Sequence, residues 1–432
     1  MTAAHRILIV GGGAGGLVLA AGLGGLRHPE RPIEVTLVDA RLTHVWKPQL
    51  HELAAGTLRG VEQEVDYLQQ ARRHGFRFEM GRMACLDRGR RQVWLDALVD
   101  VDGAEIAPRR AVSYDTLVLA VGSVVNDFGT PGVREHALAL DDADDARRFH
   151  RRLLAACARS ELNGGAPADI VIVGGGATGV ELAAELTDAT AHLARYGTRV
   201  STLARPVRLH VIEGSGRLVN ALSLDLSESV RDALQKDGVN VRLGERVAEV
   251  HADRVTLASG ETLPAALTVW AAGIRGPEVL RFADGLELNR FGQLMLRPTL
   301  QTTVDDDIFA IGDCGSCPLG GTTFVPPTAQ AASQQSAWLV EAIKARLDGE
   351  PVGRFHYGDR GAIVSLGHDN AVGRITGVLP RFALTLRGFA ARWAYWGLQR
   401  RHMVALHGVL RTVLATVGGW LTGVAQPRVK LH

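Results

Sequence analysis

Two runs of consecutive apolar residues, Ile7-Leu8-Ile9-Val10 and Ile170-Val171-Ile172-Val173, have the length and β-branched content of strands buried on both faces. Each runs straight into small residues: Gly11-Gly12-Gly13-Ala14-Gly15-Gly16 after the first, Gly174-Gly175-Gly176-Ala177-Thr178-Gly179 after the second. A helix is expected after each. A second strand pattern follows and closes on an acid, Val35 to Asp39 in one case and Leu209 to Glu213 in the other. Each segment then continues through a β-rich stretch to another strand and a small-residue turn, Leu117 to Gly122 and Leu267 to Gly273. One plan is therefore written twice. A later strand, Ile308-Phe309-Ala310-Ile311, ends in Gly312-Asp313. Nearer the C-terminus the period changes. Leu379, Phe382, Leu386, Phe389, Trp393 and Trp396 alternate spacings of three and four, and so do Met403, Leu406, Leu410, Val413, Val417, Trp420 and Val424. Each set predicts one apolar stripe along a helix.

The glycines carry chemistry. Gly11, Gly13 and Gly16, like Gly174, Gly176 and Gly179, occupy the G-x-G-x-x-G positions between a strand and a helix. Two of the three allow a tight turn and close backbone approach to a pyrophosphate. The third lets helix and strand pack, and the helix N-terminus offers free N–H groups to the anion. Asp39 follows Gly16 by 23 residues and is placed to accept from ribose hydroxyls. Glu213 follows Gly179 by 34, and residues 196–208 account for the surplus as an insertion. An acid at Glu213 repels a 2′-phosphate, which predicts a preference for NADH over NADPH.

Charge is distributed unevenly. The chain of 432 residues has a formal net charge of only +2, which gives no support for nucleic acid as a partner. Residues 371–432, however, hold nine Lys/Arg and no Asp or Glu, leaving −7 for residues 1–370. With the apolar stripes, Arg381 and Arg392 flanking the first of them, and Trp393, Tyr395, Trp396 and Trp420, this predicts helices lying in an anionic membrane surface. The longest uncharged C-terminal run, Thr412 to Pro427, is 16 residues, short of the roughly 20 a membrane span needs. The first apolar run leads into glycines with no cleavage site, so no signal peptide is expected. Four cysteines fit a reducing compartment. Cys314-Gly315-Ser316-Cys317 has dithiol spacing but follows the last strand, and is read as a loop detail.

Two glycine fingerprints, each closed by a small-residue turn, with a late strand ending in Gly312-Asp313, resemble the two-dinucleotide-binding-domain flavoproteins. That resemblance implies an α/β fold with two Rossmann-like dinucleotide-binding domains, glutathione-reductase-like, followed by a C-terminal amphipathic helical membrane-anchoring region. It implies non-covalent FAD on the first unit, held by Gly11, Gly13, Ala14, Gly16, Asp39, Gly122 and Asp313. NADH is implied on the second, at Gly174, Gly176, Thr178, Gly179, Glu213 and Gly273. Three segments narrow the family. The stretch from Thr43 to Gly56 resembles a segment that lies along the flavin, with Lys47 as its contact, although Gln49 stands where the family has leucine. The stretch Val325-Pro326-Pro327-Thr328-Ala329-Gln330-Ala331-Ala332-Ser333-Gln334 resembles an Ala-Gln-x-x-x-Gln signature, with Ala329 at the cofactor and Gln330 and Gln334 on one helix face. The C-terminal residues through Pro427–His432 resemble close bacterial members.

The chain thus resembles the bacterial type II, non-proton-pumping NADH:quinone oxidoreductases along essentially its whole length. The resemblance implies hydride transfer from NADH to FAD, then two electrons to ubiquinone or menaquinone, feeding a respiratory chain. Glu181, Gln330 and Gln334 are the implied catalytic residues. The implied location is the cytoplasmic face of the inner membrane, peripheral, with residues 379–432 on the lipid and a homodimer as a further option. The expected domains are 1–125 with 297–349 for FAD, 166–285 for NADH and 355–432 for the membrane. Three alternatives stand beside this reading: a sulfide:quinone reductase, which needs cysteines near the flavin; a soluble reductase of an electron-carrier protein; and a non-catalytic FAD/NADH sensor docking on membranes.

Overall fold

His5–Val10 pairs in parallel with Ile33–Asp39 on one side and Thr116–Leu119 on the other. Flanked on both edges, Ile7, Leu8 and Ile9 are almost wholly buried, which is why this run is apolar without alternation. Ile308–Ala310 and Arg77–Met80 complete a five-stranded sheet in the order Ile308–Ala310, Thr116–Leu119, His5–Val10, Ile33–Asp39, Arg77–Met80. The computed structural model describes residues 3–58, 64–162, 166–196, 206–367, 370–379 and 382–423. Arg428, Lys430, Val424 and the terminal residues 427–432, together with Arg381 and residues 197–205 of the expected insertion, lie outside the described residues.

The chain forms two compact units. The first comprises Met1–Trp46, Glu64–Val124 and Ile274–Gly358, and the second Lys47–Gln63, Val125–Gly273 and Asp359–His432. The second repeats the plan of the first. Ala168–Val173 lies between Leu267–Trp270 and Val207–Glu213, with Asn240–Leu243 outside one and the two-residue strand Ala137–Leu138 outside the other. All pairings are again parallel. The repeats differ in the source of one edge strand: the first takes Ile308–Ala310 from far downstream, the second takes Ala137–Leu138 from just upstream. Each also inserts a three-stranded antiparallel sheet before its small-residue turn, built on Met83–Asp87, Gln92–Leu95 and Arg110–Ser113 in one and on Val247–Val250, Arg254–Leu257 and Thr262–Pro264 in the other.

The C-terminal region departs from the expected helices. Ala371–Leu379 and Phe382–Arg387 pair as antiparallel strands beside Gly361–Ser365, and the helix Phe389–His407 starts only after Gly388, at φ +65°. The 379–396 stripe is therefore not one helix. The reason is local: Val372, Ile375, Thr376 and Val378 favour a strand, and Pro380 removes an N–H and constrains the residue before it. The second stripe is also split. Gly408 stops the first helix at φ +73°, and Val409–Gly423 forms another. Met403 and Leu406 are buried, whereas Leu410, Val413 and Val417 are exposed. No helix among the described residues is long and apolar enough to cross a membrane.

Both repeats depend on one close approach. An added Cβ on Gly16 would lie 1.9 Å from the Gly11 carbonyl oxygen, and one on Gly179 would lie 1.9 Å from the Gly174 carbonyl oxygen. Gly16→Ala or Gly179→Ala is expected to cost about 2–3 kcal/mol, the upper part of the overpacking range. Gly397→Ala adds the same methyl inside the Phe389–His407 helix with nothing within 4 Å. It should stabilise the fold by up to about 1 kcal/mol through helix propensity. Urea unfolding of the three variants checks both signs.

Candidate functional site

In the first unit the fingerprint folds as a cradle. Gly11, at φ +104°, turns the chain out of the central strand, and the Gly12 N–H donates to Asp39 Oδ2 at 2.7 Å. Asp39 Oδ1 accepts the Arg41 N–H at 2.9 Å, so the carboxylate is oriented by backbone while keeping lone pairs for a ligand. The Tyr67 hydroxyl donates to the Gly12 carbonyl at 2.8 Å and locks the loop from behind. The missing side chain of Gly13 faces open space, with no atom within 4 Å, and so does that of Gly122. Asp313 accepts from the Ser123 hydroxyl at 2.8 Å, and its own carbonyl accepts from Gln293 Nε2 at 2.8 Å. These residues fit a dinucleotide: a helix N-terminus, Gly16–Leu23, two open glycine faces, and an acid at the end of the neighbouring strand.

The helix Ala329–Leu347 starts at Thr328, whose side chain accepts the Ala331 N–H at 3.2 Å. It reaches the same loop, since the Ser336 hydroxyl donates to the Gly15 carbonyl at 2.8 Å. Gln330 and Gln334 share a face, as their spacing requires, but both are engaged within the unit. Gln330 Nε2 donates to the Tyr357 hydroxyl at 2.8 Å. Gln334 exchanges two hydrogen bonds with Gly358, donating to its carbonyl and accepting its N–H, both at 2.9 Å. The sequence reading passed over Gln335, which is buried and accepts the Gly312 N–H at 2.7 Å, fixing the turn that presents Asp313.

The second unit repeats the turn and the bonds between backbone amides and the closing acid. Gly174 turns at φ +114°, the Gly175 N–H donates to Glu213 Oε2 at 2.6 Å, and the Ser215 N–H to Oε1 at 2.7 Å. Gly176, like Gly13, faces open space. Thr178 and Gly179 lie in the first turn of the helix Ala177–Tyr196. Lys47 also belongs to this unit, with its ammonium 4.0 Å from Asp141.

Further along that helix is a feature with only half its members visible in the sequence. Glu181 and Glu185 are one turn apart and buried among Val180, Leu182, Ala184 and Leu186. Glu181 Oε1 accepts the Ser365 N–H at 3.1 Å, and Oε2 lies 3.6 Å from His51 Nδ1. Glu185 accepts from the Thr57 hydroxyl. Glu52 joins them from the short helix Leu50–Ala55, 3.9 Å from the Arg392 guanidinium. Arg392 also donates to the Ser365 hydroxyl at 2.9 Å and lies 5.5 Å from the Tyr395 ring centroid. Arg392 and Tyr395 thus turn inward, against the expectation that they meet lipid headgroups; Tyr395 is buried, with its hydroxyl directed to the Pro48 carbonyl at 3.4 Å.

Three carboxyls around one guanidinium cannot all ionise out of water. Burial pushes the Glu181 carboxyl up to about 8, with the neighbouring Glu52 adding to it, and Glu185 up to about 7. Glu52 is raised as well, chiefly by burial. Burial, reinforced by Arg392, pulls His51 down to about 3. The His51–Glu181 contact is therefore between two neutral groups at neutral pH, and is not an ion pair. The His51 Nε2 atom is buried without a hydrogen-bond partner. The signal for Glu185 was available in the sequence: an acid one turn after Glu181 on an otherwise apolar helix. Arg392, Glu52 and Tyr395 gave none, because they come from distant segments.

Cys314 and Cys317 are free and fully buried thiols, pushed by burial up to about 12 and 11. Neither forms a reactive thiolate near neutral pH.

Comparison with known proteins adds the following. Residues 5–336 match the pyridine nucleotide-disulphide oxidoreductase family. The chain is 38% identical to the type II NADH:quinone oxidoreductase of Haemophilus influenzae, over 99% of this chain and 100% of that one. It is 28% identical to the relative of the same name from Staphylococcus aureus, over 86% and 90%. Among solved structures, that of NDH2 from Plasmodium falciparum in complex with NADH matches with a TM-score of 0.79 at 18% identity, covering 99% and 100%. At that identity the last match speaks to the fold alone.

The buried acids make folding stability depend on pH. Glu181 and Glu185 have folded values of about 8 and 7, raised above an unfolded value near 4.5. Their contribution is fully present below about pH 4.5 and is lost as pH rises through 7 and 8. The difference in unfolding free energy between wild type and Glu181→Gln should therefore grow in favour of the variant from pH 5.5 to 9. A difference independent of pH would show that Glu181 is ionised throughout.

Proposed function

This chain belongs to the type II NADH:quinone oxidoreductases, and on that premise we propose that its two nucleotide-binding repeats divide the reaction between them. It is an oxidoreductase that uses FAD and carries electrons from NADH to a quinone. The observation that carries the division of labour is the duplicated cradle, with Asp39 and Glu213 each held by a fingerprint amide. The first repeat holds FAD through Gly11, Gly13, Ala14, Gly16, Asp39, Gly122 and Asp313, with Ala329 at the helix that packs on the loop. The second holds NADH through Gly174, Gly176, Thr178, Gly179, Glu213 and Gly273. Bound FAD supplies a ring that takes hydride from the nicotinamide and returns two electrons to the quinone.

The protein's own part is position and protons. In balance, NADH, a quinone and one proton give NAD⁺ and a quinol. Glu181, two residues beyond the second cradle and carrying a proton at neutral pH, is the group proposed to hold and deliver that proton, with Glu52 and Glu185 replenishing it. Gln330 and Gln334 are proposed to orient the acceptor side from their shared helix face, where Gln334 keeps one amide hydrogen after bonding Gly358. Lys47 is proposed as a further cofactor contact.

The exposed apolar residues Phe389, Trp393, Trp396, Leu410, Val413 and Leu414 support a peripheral seat on a membrane, where the quinone dissolves. We assign this face to lipid rather than to a second copy of the chain. Residues 371–432 carry only basic charge, which attracts anionic headgroups and repels a like copy. The seat faces the cytoplasm, where NADH is generated. Leu410→Glu with Val413→Glu should abolish flotation with phosphatidylglycerol vesicles while leaving oxidation of NADH by a water-soluble quinone intact.

The nucleotide assignment is tested by steady-state oxidation of NADH and NADPH with a short-chain ubiquinone analogue. Wild type should strongly prefer NADH. Glu213→Ala should narrow the ratio of kcat/KM values by at least about tenfold, since a repelled charge across a few ångströms is worth 1–3 kcal/mol in this setting. An unchanged ratio would remove Glu213 from the ribose site.

A further inference from the structure

The repeats differ at the glycine that closes each small-residue turn. In the first unit, the face of Gly122 is clear, with no atom within 4 Å of where a Cβ would stand. In the second, the equivalent Gly273 has almost the same backbone, φ +68° against +69°, but a Cβ there would meet the Phe128 ring at 2.7 Å. The ring lies directly on the glycine.

Sheet order says which part of the ligand that glycine serves. Ala168–Val173 is the central strand, and the pyrophosphate cradle Gly174–Gly179 follows it. Val207–Glu213 lies on one side and takes the adenosine ribose through Glu213. Leu267–Trp270, leading to Gly273, lies on the other side. A dinucleotide crossing the strand ends from Glu213 over the cradle brings its second half, the nicotinamide nucleotide, to Gly273.

Phe128 sits at the surface. It is 61% exposed, although aromatic, and its backbone is left-handed at φ +50° without being glycine. The loop that carries it is anchored on the same sheet. The Asn126 N–H donates to the Gly273 carbonyl at 3.2 Å, Trp270 Nε1 donates to the Asn126 carbonyl at 2.8 Å, and Asn126 Oδ1 accepts the Phe128 N–H at 3.0 Å. The base of the loop is held by these bonds, and the ring lies over Gly273. The geometry points to Phe128 as a displaceable cover over the nicotinamide half of the NADH site, occupying that place until NADH displaces it. This rests on the second repeat being the NADH site.

A cover that must leave lowers the apparent affinity by the fraction of time the site is open. Removing it tightens any ligand with a nicotinamide and leaves one without it unaffected. Isothermal titration of the holoenzyme with NAD⁺ and with ADP-ribose, for wild type, Phe128→Ala and Phe128→Gly, reads this directly. The expected result is NAD⁺ binding about three- to tenfold tighter in both variants, with ADP-ribose unchanged. Unchanged or weaker NAD⁺ binding would overturn the proposal, making the ring inert or a stacking platform. Equal tightening of both ligands would overturn it too, as would an effect in Phe128→Gly alone, which belongs to the backbone. Loss of ADP-ribose binding in both variants would make Phe128 a support of the loop and not a cover. If wild type binds neither ligand, it is the nucleotide site itself that fails.

Discussion

The contact between a glycine in the first turn of a helix and the carbonyl that leaves the preceding strand is the constraint on which both repeats depend. At Gly16 over Gly11 and at Gly179 over Gly174 there is no room for a methyl group. This approach sets the helix N-terminus over the strand end, and the loop between them projects its amides. One of these amides, on Gly12 or Gly175, captures the acid of the next strand. Cradle and acid are thus a single unit: move the helix outward and the carboxylate loses both its orientation and its place beside the anion site.

A second constraint acts on the buried acids. The helix that begins at the second cradle carries Glu181 and Glu185 into an apolar interior, where the Arg392 guanidinium pairs with Glu52. Desolvation outweighs the attraction of Arg392 for Glu181 and Glu185, so protons bind instead of a compensating charge. The interior of this unit therefore favours protonated carboxyls, and stability is surrendered as pH rises.

The C-terminal region shows how a period in sequence can mislead. Spacings of three and four from Leu379 to Trp396 fit a helix, yet Gly388 and the β-branched residues from Val372 to Val378 divide the segment into paired strands and a helix. Period counts which residues are apolar and is blind to where backbone bonds are forbidden. Arg392 differs from its expected place for a related reason. Its flanking position suggested a phosphate outside, while its partners, Glu52 and Ser365, come from segments hundreds or tens of residues away.

What the sequence determined by itself was the duplicated plan. The strands are legible because their neighbours bury them on both faces, and the glycines and closing acids because few other residues are sterically or electrically admissible there. Local chemistry of this kind is written in adjacent letters. Tertiary structure alone decided which side chains share an interior: His51 and Glu52 beside Glu181, Arg392 turned inward, and Gln335 beneath Gly312. Each of those contacts joins segments whose separation along the chain carries no period or motif. Their energies come from shared burial, which exists only once the chain has folded.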